Sequence, residues 1–200
     1  MTKTIELIFD FVSPNAYLVW QPLRALAARQ GAQIKITPAF LGGMHKLTGN
    51  APPFIRDADV KGKNAYASLE MQRFIAKHGL HRFKKNPKFP FNSVDLLRTL
   101  VSLPDDDQIK FIEALTPAIW EEGLDVTDAA AVAAVLTKAG FDAESLAAKA
   151  QDPAIKQALI DNTEKAVERG AFGIPTFFIG TEMFFGKERL GQIEEMLENS

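Results

Sequence analysis

Ser13 stands where an apolar run over residues 5–11 gives way to Pro14 and a helical pattern. A serine at such a junction can act as an N-cap, worth about 1 kcal/mol. The same position offers an anion the positive end of a helix and a hydroxyl donor. Position alone leaves both readings open. A covalent role is disfavoured, because no GxSxG elbow occurs and His45, His78 and His81 lie in unrelated segments. The second candidate is Gly173-Ile174-Pro175-Thr176, just ahead of another apolar segment. A trans Ile174–Pro175 bond would make this an ordinary lead into a strand. A cis bond would instead present the backbone N–H and C=O of Ile174 to a peptide-like ligand. Third come Lys187 and Glu188. Alone they are solvated surface charges; beside a zwitterion they can pair with a carboxylate and an ammonium.

Lys77, His78, His81, Arg82, Lys84, Lys85 and Lys88, interleaved with Phe83 and Phe89, read as a solvated helix end and loop. A local positive field for a small carboxylate is the functional alternative. Nucleic acid is excluded as a general partner, since 23 Lys and Arg stand against 25 Asp and Glu for a net charge of −2. With no cysteine there is no redox pair, no thiol nucleophile and no thiolate metal site. The three histidines have no acidic partner at ligand spacing, so no metal is expected. No apolar run approaches the roughly 18 residues of a membrane span, and residues 1–4 lead straight into a β-like segment rather than a signal peptide. A cytoplasmic protein that binds neither membrane nor nucleic acid is the expectation.

These residues need elements to hold them. The chain has 200 residues, 46% of them apolar, enough for one domain or one domain carrying an insertion. Residues 4–10 read as a buried strand, 14–30 as a helix closed by Gly31, and 33–38 as a second strand. Residues 52–168 read as mostly helix: 59–77, 93–103, 105–122 with Pro117 kinking or breaking it, one capped by Thr127, and one opened by Asp152-Pro153. Residues 176–179 and 182–185 then form a hairpin around Gly180-Thr181, followed by a last helix. Strands at both ends imply one small α/β sheet interrupted by a helical insertion.

Phe9-Asp10-Phe11-Val12-Ser13-Pro14, Gly49-Asn50, Phe89-Pro90-Phe91-Asn92, the run from Gly170 to Phe178 and the run from Phe185 to Leu190 resemble 2-hydroxychromene-2-carboxylate isomerases. That family is similar to kappa-class glutathione transferases and related to periplasmic disulfide oxidoreductases. The resemblance covers the whole chain in order, and the C-terminal run is its most specific part. It implies an α/β fold in which a thioredoxin-like domain (1–51 and 169–200) is interrupted by an all-helical insertion (52–168). It implies glutathione as cofactor and a homodimer. Ser13 would hydrogen-bond the glutathione sulfur as the catalytic residue. Ile174, before a cis-Pro175, would pair with the cysteinyl part, and Phe185, Gly186, Lys187 and Glu188 would hold the γ-glutamyl end. His45, Asn50, Arg56 and Phe89 would contact an aromatic carboxylate substrate. The implied reaction interconverts 2-hydroxychromene-2-carboxylate and trans-o-hydroxybenzylidenepyruvate, or a related aromatic-degradation intermediate, through transient thiolate addition. A kappa-like glutathione transferase and a non-catalytic peptide-binding module are the alternatives. The chain departs from the family pattern at Asn15, where an aromatic residue is expected, at His45 beside Lys46, where a lysine is expected, and at Lys187-Glu188, in place of a small polar residue and Asp.

Overall fold

The computed structural model of the protein describes residues 3–199. Strand β1 (Thr4–Phe9) lies between β2 (Gln33–Pro38) and β3 (Thr176–Ile179), and β4 (Glu182–Phe185) completes a single sheet of order β2-β1-β3-β4. β1 and β2 run parallel, with Ile5 opposite Ile34, so the helix between them must cross over the sheet. β3 runs antiparallel to both β1 and β4, with Leu7 opposite Phe177 and Phe177 opposite Phe184. Ile5, Leu7, Ile8 and Phe9 are completely buried, as a central strand covered on both faces requires.

Helix α1 (Pro14–Gln30) starts as the sequence predicts: Ser13 is extended, its hydroxyl oxygen accepts from the Ala16 N–H, and Pro14 fills the first helical position. It ends at Gly31, whose φ of 62° returns its own N–H to the carbonyls of Ala27 and Ala28. After β2 come α2 (Leu41–Thr48), the single turn α3 (Pro53–Arg56), α4 (Lys63–His78), α5 (Val94–Val101), α6 (Asp105–Trp120), α7 (Ala129–Lys138), α8 (Ala143–Lys149) and α9 (Pro153–Glu168). A 3-10 turn (Lys187–Arg189) and α10 (Leu190–Glu198) follow β4.

Several local expectations change. The segment after β2, to which the sequence assigns no element, contains α2, so His45 sits on a helix. The helix expected from residue 59 starts at Lys63, because Gly62 in the left-handed region interrupts the pattern. Asp128 rather than Thr127 caps α7, accepting from the N–H groups of Ala130 and Ala131, while the Thr127 hydroxyl turns to Asp125. Helix α6 continues through Pro117 without a break, and α8 carries no signal strong enough to have been read. Lys187, expected as a solvated charge, is 4% exposed.

One hydrophobic core joins the sheet to the helical segment. Phe11 packs edge-on against Phe9 at 5.0 Å and against Phe111 of α6 at 5.8 Å. Phe111, Ile112, Leu115 and Ile119 of α6 are fully buried. The residues just before Ser13 therefore rest on α6 rather than facing solvent.

Candidate functional site

Ser13 is 3% exposed at the N-terminus of α1. Its hydroxyl oxygen accepts from the Ala16 N–H at 3.3 Å, and its hydroxyl donates to the Ile174 carbonyl oxygen at 2.9 Å. The first turn of α1 carries no acidic side chain, so nothing local offsets the positive helix end. The turn before Ser13 is held rigidly. The Ser13 N–H donates to the Asp10 carbonyl at 3.1 Å, and Trp120 Nε1 donates to the Phe11 carbonyl at 3.1 Å. Next to this centre, Asn15 Oδ1 is buried without a hydrogen-bond partner.

The Ile174–Pro175 bond is cis, as expected for the ligand-pairing turn. Thr176 Oγ1 donates to the Gly173 carbonyl at 2.7 Å, and the Gly186 N–H donates to the Pro175 carbonyl at 3.0 Å. That second bond places Phe185, Gly186, Lys187 and Glu188 beside the proline turn. Gly186 has φ 99°, and a Cβ there would come within 3.0 Å of Glu188 Oε2, so the carboxylate folds back over the glycine. Lys187 Nζ contacts Glu188 Oε1 and lies 5.3 Å from the centre of the Phe74 ring on α4. Lys187 is thus a buried cation with an aromatic face on one side and a half-exposed carboxylate on the other.

The residues expected to meet substrate form a second wall. Asn50 Nδ2 donates to the Phe172 carbonyl at 2.8 Å, and Arg56 Nη1 donates to Asn50 Oδ1 at 3.3 Å. Arg56 also pairs with Asp57, which Lys63 neutralises from the other side at 2.9 Å. Those two cations hold the Asp57 carboxyl well below the usual carboxylate range. His45 is pushed toward its neutral form, by partial burial first and by the Arg56 charge second. His45, Asn50 and Arg56 are therefore brought together. Phe89 stands on the loop between α4 and α5, against Phe54 at 5.9 Å and Trp120 at 5.9 Å. Phe172 meets Phe185 at 4.5 Å, which joins this wall to the Ile174 turn.

The family model for the DSBA-like thioredoxin domain matches residues 4–198. The chain is 32% identical to the 2-hydroxychromene-2-carboxylate isomerase of Sphingobium xenophagum, over 98% of this chain and 99% of that protein. The chain belongs to the DsbA-like thioredoxin family, among its 2-hydroxychromene-2-carboxylate isomerase relatives. It is also 27% identical to human Glutathione S-transferase kappa 1, over 98% of this chain and 92% of that one. The solved structure of a 2-hydroxychromene-2-carboxylate isomerase superimposes with a TM-score of 0.81 at 27% identity, covering 98% of this chain and 95% of the other.

This DsbA-like chain contains no cysteine, so any thiol at its site must arrive with a ligand. Four structural partners of the site carried no signal of their own in the sequence. Phe74 and Trp120 fall within the helices read over 59–77 and 105–122, and Phe172 within the run from Gly170 to Phe178, with no role of their own. Asp10, the last residue of the segment read as a strand, is a completely buried carboxyl group. Only the tight grouping of Asp10 with Ser13 in Phe9-Asp10-Phe11-Val12-Ser13-Pro14 hinted at a shared task.

Proposed function

We propose that the protein is a glutathione-dependent isomerase of the 2-hydroxychromene-2-carboxylate type, with Ser13 as the donor to the cofactor sulfur. The observation that carries this reading is the meeting of three features in one place: the Ser13 hydroxyl, the Ile174 backbone and the Lys187–Glu188 pair. A γ-glutamyl tripeptide has a matching sequence of groups, with a thiol, a peptide backbone and a zwitterionic end. The residues fit it. The small Gly186 leaves room for Glu188 to fold inward, and Lys187 and Glu188 supply opposite charges for an α-carboxylate and an α-ammonium.

Bound glutathione supplies a thiolate for reversible addition to a conjugated alkene. A free thiol ionises near pH 8.5, and a helix N-terminus or a hydroxyl donor lowers that value. Ser13 and the N-terminus of α1 would do both. Ile174 and Pro175 would orient the cysteinyl part. Arg56, with Asn50 and His45 beside it, would receive the substrate carboxylate, and Phe89 with Phe54 would face its aromatic ring. Neutral His45 can then accept a hydrogen bond that a charged imidazolium cannot.

A kappa-like transferase is the second reading, supported by the 27% identity to human Glutathione S-transferase kappa 1. One assay separates the two. Turnover of a hydroxychromene carboxylate with glutathione returned unchanged supports the isomerase; stoichiometric loss of glutathione into a conjugate supports the transferase. Absence of glutathione binding by calorimetry leaves the peptide-binding module. We also propose a cytoplasmic homodimer and treat residues 52–168 as its insertion. Leu47, Phe54, Ile55, Val60, Tyr66 and Leu69 are exposed apolar side chains within residues 47–69, which supports a surface covered by a second subunit. Among the described residues no helix is long and apolar enough to cross a membrane.

A further inference from the structure

Asp10 carries a charge-bearing group into the fully buried interior, with no salt bridge to it among the described residues. A carboxylate so placed is costly unless its oxygens are hydrogen-bonded. Three donors meet it, each from a different part of the chain. Asp10 Oδ1 accepts from the Val12 N–H at 3.1 Å and from Ser93 Oγ at 2.5 Å, and Oδ2 accepts from the Leu41 N–H at 2.8 Å. Val12 precedes Ser13. Leu41 is the first residue of α2, the helix that carries His45 and leads to Asn50. Ser93 follows the Phe89-Pro90-Phe91 segment and stands before α5, yet its hydroxyl makes no cap to that helix and is given to Asp10 instead.

We infer that Asp10 is a positioning residue that sets the substrate wall, His45–Asn50 and Phe89, at a fixed distance from the Ser13 centre. This rests on the glutathione-dependent reading above and extends it to a residue that touches neither ligand. The glutathione half is fixed by other bonds, through Ile174, Pro175 and Gly186. Loosening the Asp10 clip therefore separates the reacting partners while leaving the cofactor in place. Misplacement of reacting groups by about 1 Å can cost on the order of a hundredfold in rate.

The test uses Asp10→Asn, which puts an amide donor against one of the three donors, and the milder Ser93→Ala, which leaves both backbone bonds. Three quantities are read on the full chain: the calorimetric Kd for glutathione, kcat with a hydroxychromene carboxylate, and amide hydrogen exchange at Leu41. The expected result is a Kd within about twofold of the wild type, kcat lower by roughly ten- to a hundredfold, and faster exchange at Leu41. A Kd that weakens in step with kcat overturns the inference, since Asp10 would then support the fold or the cofactor half generally. An unchanged kcat with faster Leu41 exchange overturns it too. Failure of the wild type to bind glutathione removes the functional reading itself, and the inference with it; that outcome is visible before any variant is made.

Discussion

The Ser13 hydroxyl gives its only proton to the Ile174 carbonyl oxygen, 2.9 Å away. A carbonyl has no hydrogen to offer, so the direction of this bond is settled, and the Ala16 N–H occupies the other side of the oxygen. The donor needed for a sulfur is thus held by the backbone expected to pair with the ligand. A ligand N–H arriving at the Ile174 carbonyl competes for that oxygen, which can accept from both donors, and so loosens its hold on the hydroxyl.

The first prediction follows from that competition. A glutathione analogue with an ester in place of the γ-glutamyl–cysteinyl amide lacks the competing N–H. Its thiol, followed by thiolate absorbance while bound, is expected to ionise at a higher pH than that of bound glutathione. Equal ionisation of the two ligands would show that Ser13 is released by some other route.

Ser13→Ala removes a cap and leaves the Ile174 carbonyl without its donor. The expected loss is about 2 kcal/mol of stability, or roughly 4–8 °C in Tm for a chain of this size. The rate is expected to fall on the order of a hundredfold, and the bound thiol to ionise at higher pH. A stability loss with no change in turnover or thiol ionisation would reduce Ser13 to a helix cap.

Lys187→Met tests the γ-glutamyl end. Met fills the space against Phe74 without a charge, so thermal stability should change little. Glutathione affinity by calorimetry should weaken about ten- to a hundredfold, the worth of a charge-assisted hydrogen bond. Unchanged affinity would move the ligand carboxylate elsewhere.

Asp10 supplies a pH dependence with a defined sign. Burial, opposed only in part by three hydrogen bonds, raises its carboxyl from 3.8 to about 6. No charged side chain among the described residues contributes to that shift. The folded state therefore holds this proton more tightly than the unfolded chain. The resulting stabilisation is full below pH 4 and is lost as pH rises through about 6. Asp10→Asn does not titrate. The stability of the wild type relative to this variant, from urea denaturation, should fall by about 2 kcal/mol between pH 4 and 7. Glu6, held low by the Thr37 hydroxyl and then by Arg169, and Asp57 and Glu194, held low by cationic partners, act in the opposite sense but equally in both proteins. A pH-independent difference would show that Asp10 keeps an ordinary carboxyl.

Much of the site was legible because it is local. Ser13 with Pro14 is a cap over four residues, and Gly173-Ile174-Pro175-Thr176 is one turn, so each could be read from its neighbours. The helix that carries His45 escaped notice for a local reason as well. Leu41-Gly42-Gly43 is a weak helix start, and Gly43 faces the Phe40 ring so closely that a Cβ there would lie 3.1 Å from it, a packing demand invisible in composition. Lys187 reads as surface in any sequence. Its burial comes from Phe74, 113 positions earlier on α4.

The order of the strands and of the longer helices, the caps at Ser13 and Gly31 and the single-sheet architecture were determined by the sequence alone, whereas the short helices α2, α3 and α8 were not. What it determined depends on hydrophobic period and turn chemistry within a short span. Tertiary structure alone decided that Ser13 meets Ile174 across 161 positions, that Ser93 abandons its helix for Asp10, and that α6 supports Phe11 through Trp120. The physical reason is the same in each case. A buried polar group must find a partner, but which one it finds depends on how distant segments are brought together by burial of the core, and burial carries no address in the local pattern.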